Sequence, residues 1–330
     1  MKTSFARLAC LAGLGIFLHS QAVLGQGTSA AQSYPDKPVR FVVGYSPGGL
    51  PDTVARLVAQ KLGDRWKQQV VVENKPGANS NIAADFVAKS TGDGYTLLVT
   101  DNSTTAINPF IYAKMPYDAE KDLIPVAMVA RAPLFLAVHS SVSANNLQEL
   151  IALVKSRPGE FTYGSSGIGS THHLCMEFLK ASLGLEITHV PFKGTGQSVP
   201  ALVGGQVPML FSALPSLSAF AKDGRVKLLA ANSARRAPFA QSIPTISEMV
   251  PGFDFAPTVG IFAPKGTPRE IVARISAEAA ETVKLADTIT RMTNVGIEPV
   301  SMTPEEYAAS LRADAERYSK AVKISGAKAD

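Results

Sequence analysis

Four short stretches of this 330-residue chain collect small, hydroxylated and charged residues that could do chemistry. They are Ser46-Pro47-Gly48-Gly49 with Asp52, Asp101-Asn102-Ser103-Thr104-Thr105, Ser165-Ser166-Gly167-Ile168-Gly169-Ser170-Thr171, and Lys193-Gly194-Thr195-Gly196. Each follows an apolar run and precedes a helical pattern. A helix N-terminus presents unpaired N–H groups and a partial positive charge, and glycine lets a backbone approach a ligand closely, so such corners suit an anion. Nucleotide binding does not fit, because Gly48-Gly49 lacks both the G-x-G-x-x-G spacing and the Gly-Lys-Ser/Thr ending. Gly164-Ser165-Ser166-Gly167 approaches a hydrolase elbow, with Ser166 as nucleophile and His172 or His173 beside it, but Ile168 stands where the last glycine belongs. His172, His173 and Cys175 make poor spacing for zinc, so neither a metal nor a cofactor is expected. Asp52 reads either as a first-turn acid favoured by the helix dipole or as a ligand contact. Asp101 could pair with it or brace a neighbouring loop.

Alternating strand and helix patterns must position these corners. Val39 to Tyr45 reads as a strand, and Val54, Leu57, Val58 and Leu62 recur at helical spacing until Gly63, which is expected to stop the helix. Gln69 to Glu73 is the next strand, then a helix with Ile82, Ala83, Phe86 and Val87 on one face, then the strand Tyr95 to Thr100. The second half repeats the pattern: strand 134–139, helix 147–155, strand 161–164, helix 171–182, and strands 187–190, 207–211 and 226–231, with a helix around 216–221. A strand over 257–263 and helices over 268–284 and 304–323 close the chain. The β-α-β-α-β order predicts an α/β fold with a parallel sheet covered on both faces, whose ligands bind beyond the carboxyl ends of the strands.

Lys2 and Arg7 flank a short apolar run, Leu8 to Leu18, that ends in small and polar residues. This reads as a secretory signal peptide over residues 1–25, cleaved after Ala22 or Gly25. Cys10 is a poor lipid acceptor, and no stretch reaches the roughly 20 apolar residues of a membrane span, so no membrane insertion is expected. The formal charge of +5 falls when the leader takes Lys2 and Arg7 with it, and no basic run with interleaved aromatics suggests nucleic acid. With Cys10 removed only Cys175 remains, so an exported protein without an intramolecular disulfide depends on its core.

Taken in order, several stretches resemble one family along nearly the whole mature chain. They include "SPGGLPDTVAR" at 46–56, "VVVENKPGANSNIAADFVAK" at 70–89, "DGYTLLV" at 93–99, "INPFIY" at 107–112 and "MPYDAEKDLIPV" at 115–126. "YGSSGIGSTHHL" at 163–174, "HVPFKGTG" at 189–196, "LVGGQVPMLF" at 202–211 and "TPEEYAASLRAD" at 303–314 continue the match. The family is that of the Bug proteins, periplasmic solute receptors of the tripartite tricarboxylate transporter type.

The resemblance implies a two-lobed Venus flytrap of the type II periplasmic binding class, hinged by two crossing strands. It implies one lobe of 34–131 with 256–330 and another of 132–255. It implies capture of a small carboxylate (a di- or tricarboxylate, an amino acid or an aromatic acid) by a monomer that performs no chemistry and hands it to membrane transporter subunits; a receptor for a signalling kinase would share the same fold. Carried over by position, first-lobe contacts fall on Ser46, Gly48, Gly49, Asp52, Asp101 and Asn102, and second-lobe contacts on Ser165, Ser166, Ser170, Thr171, Lys193, Gly194 and Thr195. The chain departs from the common pattern at Leu50-Pro51, at Asn79-Ser80 in place of a Gly-Gly, and at His172 in place of an aliphatic residue.

Overall fold

The computed structural model describes residues 34–329; the leader, its cleavage site and Cys10 lie outside them. The described residues form β1 (Val39–Val43), β2 (Val70–Asn74), β3 (Thr96–Asp101), β4 (Leu123–Arg131), β5 (Leu134–His139), β6 (Phe161–Ser165), β7 (Ile187–Pro191), β8 (Met209–Ala213), β9 (Val226–Ala231), β10 (Thr258–Pro264) and β11 (Glu298–Met302). They make two sheets, ordered β11-β4-β10-β3-β1-β2 and β7-β6-β8-β5-β9, one for each lobe.

Neither sheet is wholly parallel, which corrects the sequence expectation. β1 pairs in parallel with β2 and β3, but β10 runs antiparallel to both β3 and β4, and β11 antiparallel to β4. The direction follows from the crossing: the chain leaves the first lobe along β4 and returns along β10 beside it, so the two must oppose each other. In the second lobe β6 is parallel to β7 and β8, whereas the entering strand β5 is antiparallel to β8 and β9.

Gly63 does not end its helix. The helix Leu50–Trp66 runs on until Trp66 packs edge-on against Tyr34, ring centroids 6.0 Å apart, and the chain reverses at Lys67 with φ of 55°. A side chain at position 63 would come 3.3 Å from Gln68 O, so glycine there serves the close return of the chain. Ile82 is 53% exposed, and Ala83, Ala84, Val87 and Ala88 form the buried face of Asn81–Ala88 instead.

The apolar clusters do not divide cleanly between the lobes: Ala106, Ile107 and Ile111 of the first pack in the cluster of the second, and the last helix, Pro304–Ser325, belongs to both. Tyr307 and Leu311 pack with Val42, Leu98 and Phe262 of the first lobe, whereas Tyr318, Ala321 and Val322 pack with Leu134, Leu174 and Phe255. Where the sequence reading put all of 256–330 with the first lobe, the packing divides this helix between two cores.

The crossings are tied by polar groups. Ala132 N donates to Pro257 O (2.8 Å), joining the two segments directly. Asn232, fully buried, accepts from Leu134 N through Oδ1 (2.8 Å) and donates to Phe255 O through Nδ2 (2.9 Å). Its own N–H donates to Leu134 O (2.9 Å), and its carbonyl accepts from Phe255 N (2.8 Å). Around it Arg131 pairs with Asp254 (3.1 Å), Arg317 donates to Asp254 O and to Asp314 (3.0 Å), and Asp314 accepts from Asn102 Nδ2 (2.8 Å).

Asn232→Leu keeps the branched shape but strands the Leu134 amide, while the Phe255 carbonyl still accepts from Tyr318 OH (3.3 Å). It is expected to lower the unfolding free energy by roughly 1–3 kcal/mol for the orphaned amide. Urea denaturation measures this, and an unchanged midpoint would show that the crossings hold without it.

Candidate ligand-binding cleft

The corner after β1 is shaped by a carboxylate behind it. Asp52, 2% exposed, accepts from Gly48 N (2.8 Å), Arg56 Nε (3.0 Å) and Asn74 Nδ2 (2.8 Å), and pairs with Arg56 NH2 (2.9 Å). Asn74 Nδ2 also donates to Tyr45 O (2.9 Å), and Gly49 N donates to Ser46 O (3.2 Å). Both glycine amides are therefore engaged within the loop, and Pro51 removes another donor from this helix start. What the glycines supply is conformation: Gly48 has φ of +83°, and no atom lies within 4 Å of where its side chain would begin. Leu50, half-buried, packs on the first-lobe core.

The corner after β3 holds the densest polar network of the first lobe. Asp101 Oδ1 accepts from Tyr45 OH (2.9 Å), Ser103 N (3.1 Å) and Ser103 Oγ. Tyr45 OH also lies 3.3 Å from Asn79 Oδ1, which competes with Asp101 for its one proton; Asn79 Nδ2 donates to Asn108 Oδ1 (2.6 Å), and Asn108 Nδ2 to Asn81 Oδ1 (2.8 Å). Burial pushes the Asp101 carboxyl up, against the hydrogen bonds from Ser103 and Tyr45 that hold it down. Asn102, 1% exposed, turns the other way and joins Asp314 in the hinge. Tyr45, Asn79 and Asn108 are the residues of this network that sequence reasoning did not single out, whereas Ser103 lay in the corner it named. The departure at Asn79-Ser80 was their one visible signal: Ala78, Asn79 and Ser80 all have left-handed φ (47°, 51° and 73°), a run that glycine would adopt freely.

In the second lobe the loop from Ser165 to Thr171 wraps around histidines. Ser165 Oγ, buried, meets His189 Nε2 (2.7 Å) and accepts from Gly167 N (3.1 Å); Gly169 N donates to His173 Nδ1 (3.1 Å). His173 stacks on His189 with centroids 4.1 Å apart, and His189 on Tyr163 at 4.8 Å. Burial lowers all three histidines of this region, His172 and His189 to about 4, which leaves them neutral at pH 7. Ser170 caps the helix Thr171–Leu183, its hydroxyl accepting from His173 N (3.3 Å). Ser166 Oγ lies 2.8 Å from His172 Nδ1, and both are partly exposed.

Two helix starts in this lobe keep open amides. Among the described residues, no bond engages the N–H groups of Thr171 and His172 or of Thr195 and Gly196, which begin Thr171–Leu183 and Thr195–Val203. Lys193, exposed, precedes the second helix, and Gly194 caps it with φ of 116°. The Ser165–Thr171 corner sits against the segment that follows β3: a side chain on Gly169 would meet Ile111 Cδ1 at 3.0 Å, and Thr171 bonds the Tyr318 hydroxyl. Thus the structure sets the corner after β6 against Ile111 and the last helix.

Burial opposes the charge of Asp52, but hydrogen bonds from Arg56, Gly48 and Asn74 outweigh it and hold the carboxyl below its ordinary value. A depressed carboxyl contributes stability that is complete above its unfolded value, near 4, and is lost as pH falls through the folded one. Asp52→Asn is therefore expected to flatten the loss of thermal stability between about pH 5 and 3. Melting curves of the two proteins across that range test it; parallel curves would contradict it.

A family model described as the tripartite tricarboxylate transporter family receptor matches residues 54–326. Protein BugT of Bordetella pertussis is 32% identical over 320 residues, covering 96% of this chain and 98% of its own. Among solved structures, Rpa4515 of R. palustris with adipate is 34% identical with a TM-score of 0.78, over 89% of this chain and 99% of that one. MatC (Rpa3494) from Rhodopseudomonas palustris with bound malate is 30% identical with a TM-score of 0.73, over 88% and 100%. The chain belongs to the tripartite tricarboxylate transporter receptor family, the family of the Bug proteins.

Proposed function

We propose that this protein is an exported, periplasmic solute receptor that captures a small carboxylate between its lobes and presents it to the membrane subunits of a tripartite tricarboxylate-type transporter, without chemical change. The observation that carries this reading is the pair of open helix starts at Thr171 and Thr195, which suit an anion, on a chain whose relatives were solved with adipate and malate. Ser46, Ser166, Ser170, Thr171, Lys193, Gly194 and Thr195 surround the anion in this reading, while Asp52, Asn102 and Ser165 hold the loops from behind. Four charge-assisted bonds at roughly 1.5–3 kcal/mol each supply enough gross energy for micromolar binding, which needs about 8 kcal/mol. Residues 34–131 with the first part of 256–330 form one moving body and 132–255 the other, closing about Ala132–Leu134 and Ala256–Val259.

Hydrolysis is a weaker reading despite the Ser166–His172 pair. Among the described residues no carboxylate orients His172, and the Gly167 and Gly169 amides that an oxyanion would need are bonded to Ser165 and His173.

Native mass spectrometry of protein purified without denaturation should show a bound small acid, and calorimetry with that acid should give saturable binding. Small-angle scattering should then show a smaller radius of gyration on saturation. Recovery of a non-acidic ligand, or binding of amides and esters as tight as that of the free acid, would refute the carboxylate reading. Gly48→Val, which puts a branched side chain at φ of +83°, should weaken binding by about tenfold or more. Lys193→Met, at an exposed position, should cost less than about fivefold; the reverse order in calorimetry would overturn this account.

A further inference from the structure

Each sheet ends in two edge strands, and most of these edges are guarded. β11 carries Pro299, which has no N–H to offer, and β7 ends in Pro191. β9 carries Lys227 and is bridged at Ala231 by Thr245. β2, the edge of the first lobe beside β1, is the exception. It reads Val-Val-Val-Glu-Asn, without proline or lysine, and Val71 is 48% exposed.

Two bonds fix which groups of β2 serve β1: Val39 N donates to Gln69 O (2.9 Å), and Lys75 N donates to Val43 O (2.8 Å). Alternate residues of a parallel ladder face the neighbouring strand, so Val71 and Glu73 face β1 as Gln69 and Lys75 do. The N–H and C=O groups of Val70, Val72 and Asn74 therefore point away from the sheet. Among the described residues no strand pairs with that side, and such an edge is a template for another extended strand. The charges beside it are self-complementary. Along the helix Leu50–Trp66, Arg56 reaches Asn74 Oδ1 (3.0 Å) at one end of β2, whereas Gln60, Gly63 and Asp64 line the groove beside Val70 at the other. Arg56 keeps half its side chain exposed while paired with Asp52, and Asp64 is exposed.

We infer that β2 is the contact between two copies of this chain, paired antiparallel across a twofold axis at Val72. Val70 bonds Asn74 of the second copy, the two Val72 residues bond each other, and Arg56 of each copy comes toward Asp64 of the other. Pro76, the next outward position, has no N–H and ends the ladder. A twofold contact uses the same patch on both copies and closes on itself, so assembly stops at the dimer. The inference is independent of the carboxylate reading.

Sedimentation velocity of the purified protein over a range of concentrations should show a mass that rises toward twice that of one chain. Hydrogen exchange should slow at the amides of Val70, Val72 and Asn74 as concentration rises, while those of Val71 and Glu73 stay slow throughout. Val72→Pro removes an N–H that β1 does not use and should weaken self-association by about tenfold or more. Asp64→Arg sets like charges together and should weaken it by about threefold. Because Val72 is also half-buried, the Asp64 variant and the exchange pattern carry the test if Val72→Pro fails to fold. A single chain at every concentration overturns the inference. So does a dimer that Asp64→Arg leaves unchanged and whose Val70 and Asn74 amides exchange freely. Protection of those amides that does not vary with concentration assigns the edge to a segment of the same chain, and overturns it too.

Discussion

A chain that crosses twice between two lobes must satisfy its peptide groups where both sheets have ended, because a buried amide without a partner costs roughly 1–3 kcal/mol. Beyond the last ladder bonds no strand is available, so side chains take over. Asn232 is suited to this because one amide group accepts from Leu134 and donates to Phe255 at once, while its backbone serves the same two residues. Asp314 extends the arrangement by accepting from Asn102, which directly follows β3. The corner that faces the cleft and the knot that holds the crossings are thus parts of one bonded unit. Asn102, one residue from Asp101, belongs to that unit.

The corners themselves spend most of their donors on their own shape. Asp52 fixes Gly48, Ser165 fixes Gly167, and His173 fixes Gly169. The left-handed run at 78–80 is held in the same way: Ser80 Oγ joins a chain of hydroxyls through Thr100 to Thr104, in space that exists because Gly44 has no side chain, and Asn79 is bonded to Asn108 and Tyr45. Such strain persists only where surrounding contacts overdetermine it. Loops held in this way would lose little freedom if they bind the proposed ligand, which removes part of the entropy cost of association.

Much of this was legible in the sequence. The strands 134–139 and 226–231 match the sequence reading to the residue, because each is a short, mostly apolar run bounded by turn residues, Pro133 before the first and Asn232 after the second. β4 was not, since Pro125 interrupts its pattern; it is tolerated where the pairing of β4 with β10 is irregular. Strand direction was not legible either, because it depends on where the chain re-enters a sheet, which no local window contains. The four corners announced themselves by composition, but the work of each side chain there is set by distant partners. Asn102 answers to Asp314, 212 residues away, and Ser165 to His189. Asp101 was visible as an acid after a strand, and its bonds to Tyr45 and Ser103 only from the assembled lobe.

The choice of neutral donors on the second lobe has a consequence for release. A buried arginine facing a carboxylate gains strongly when the lobes close, but an uncompensated buried charge then costs several kcal/mol whenever the ligand leaves. Helix amides and hydroxyls have no such penalty, because water satisfies them as the cleft opens. Neutral His172 and His189 fit the same pattern, adding polarity without charge at neutral pH. A receptor that must surrender its cargo to a second protein gains from a site whose empty state is cheap.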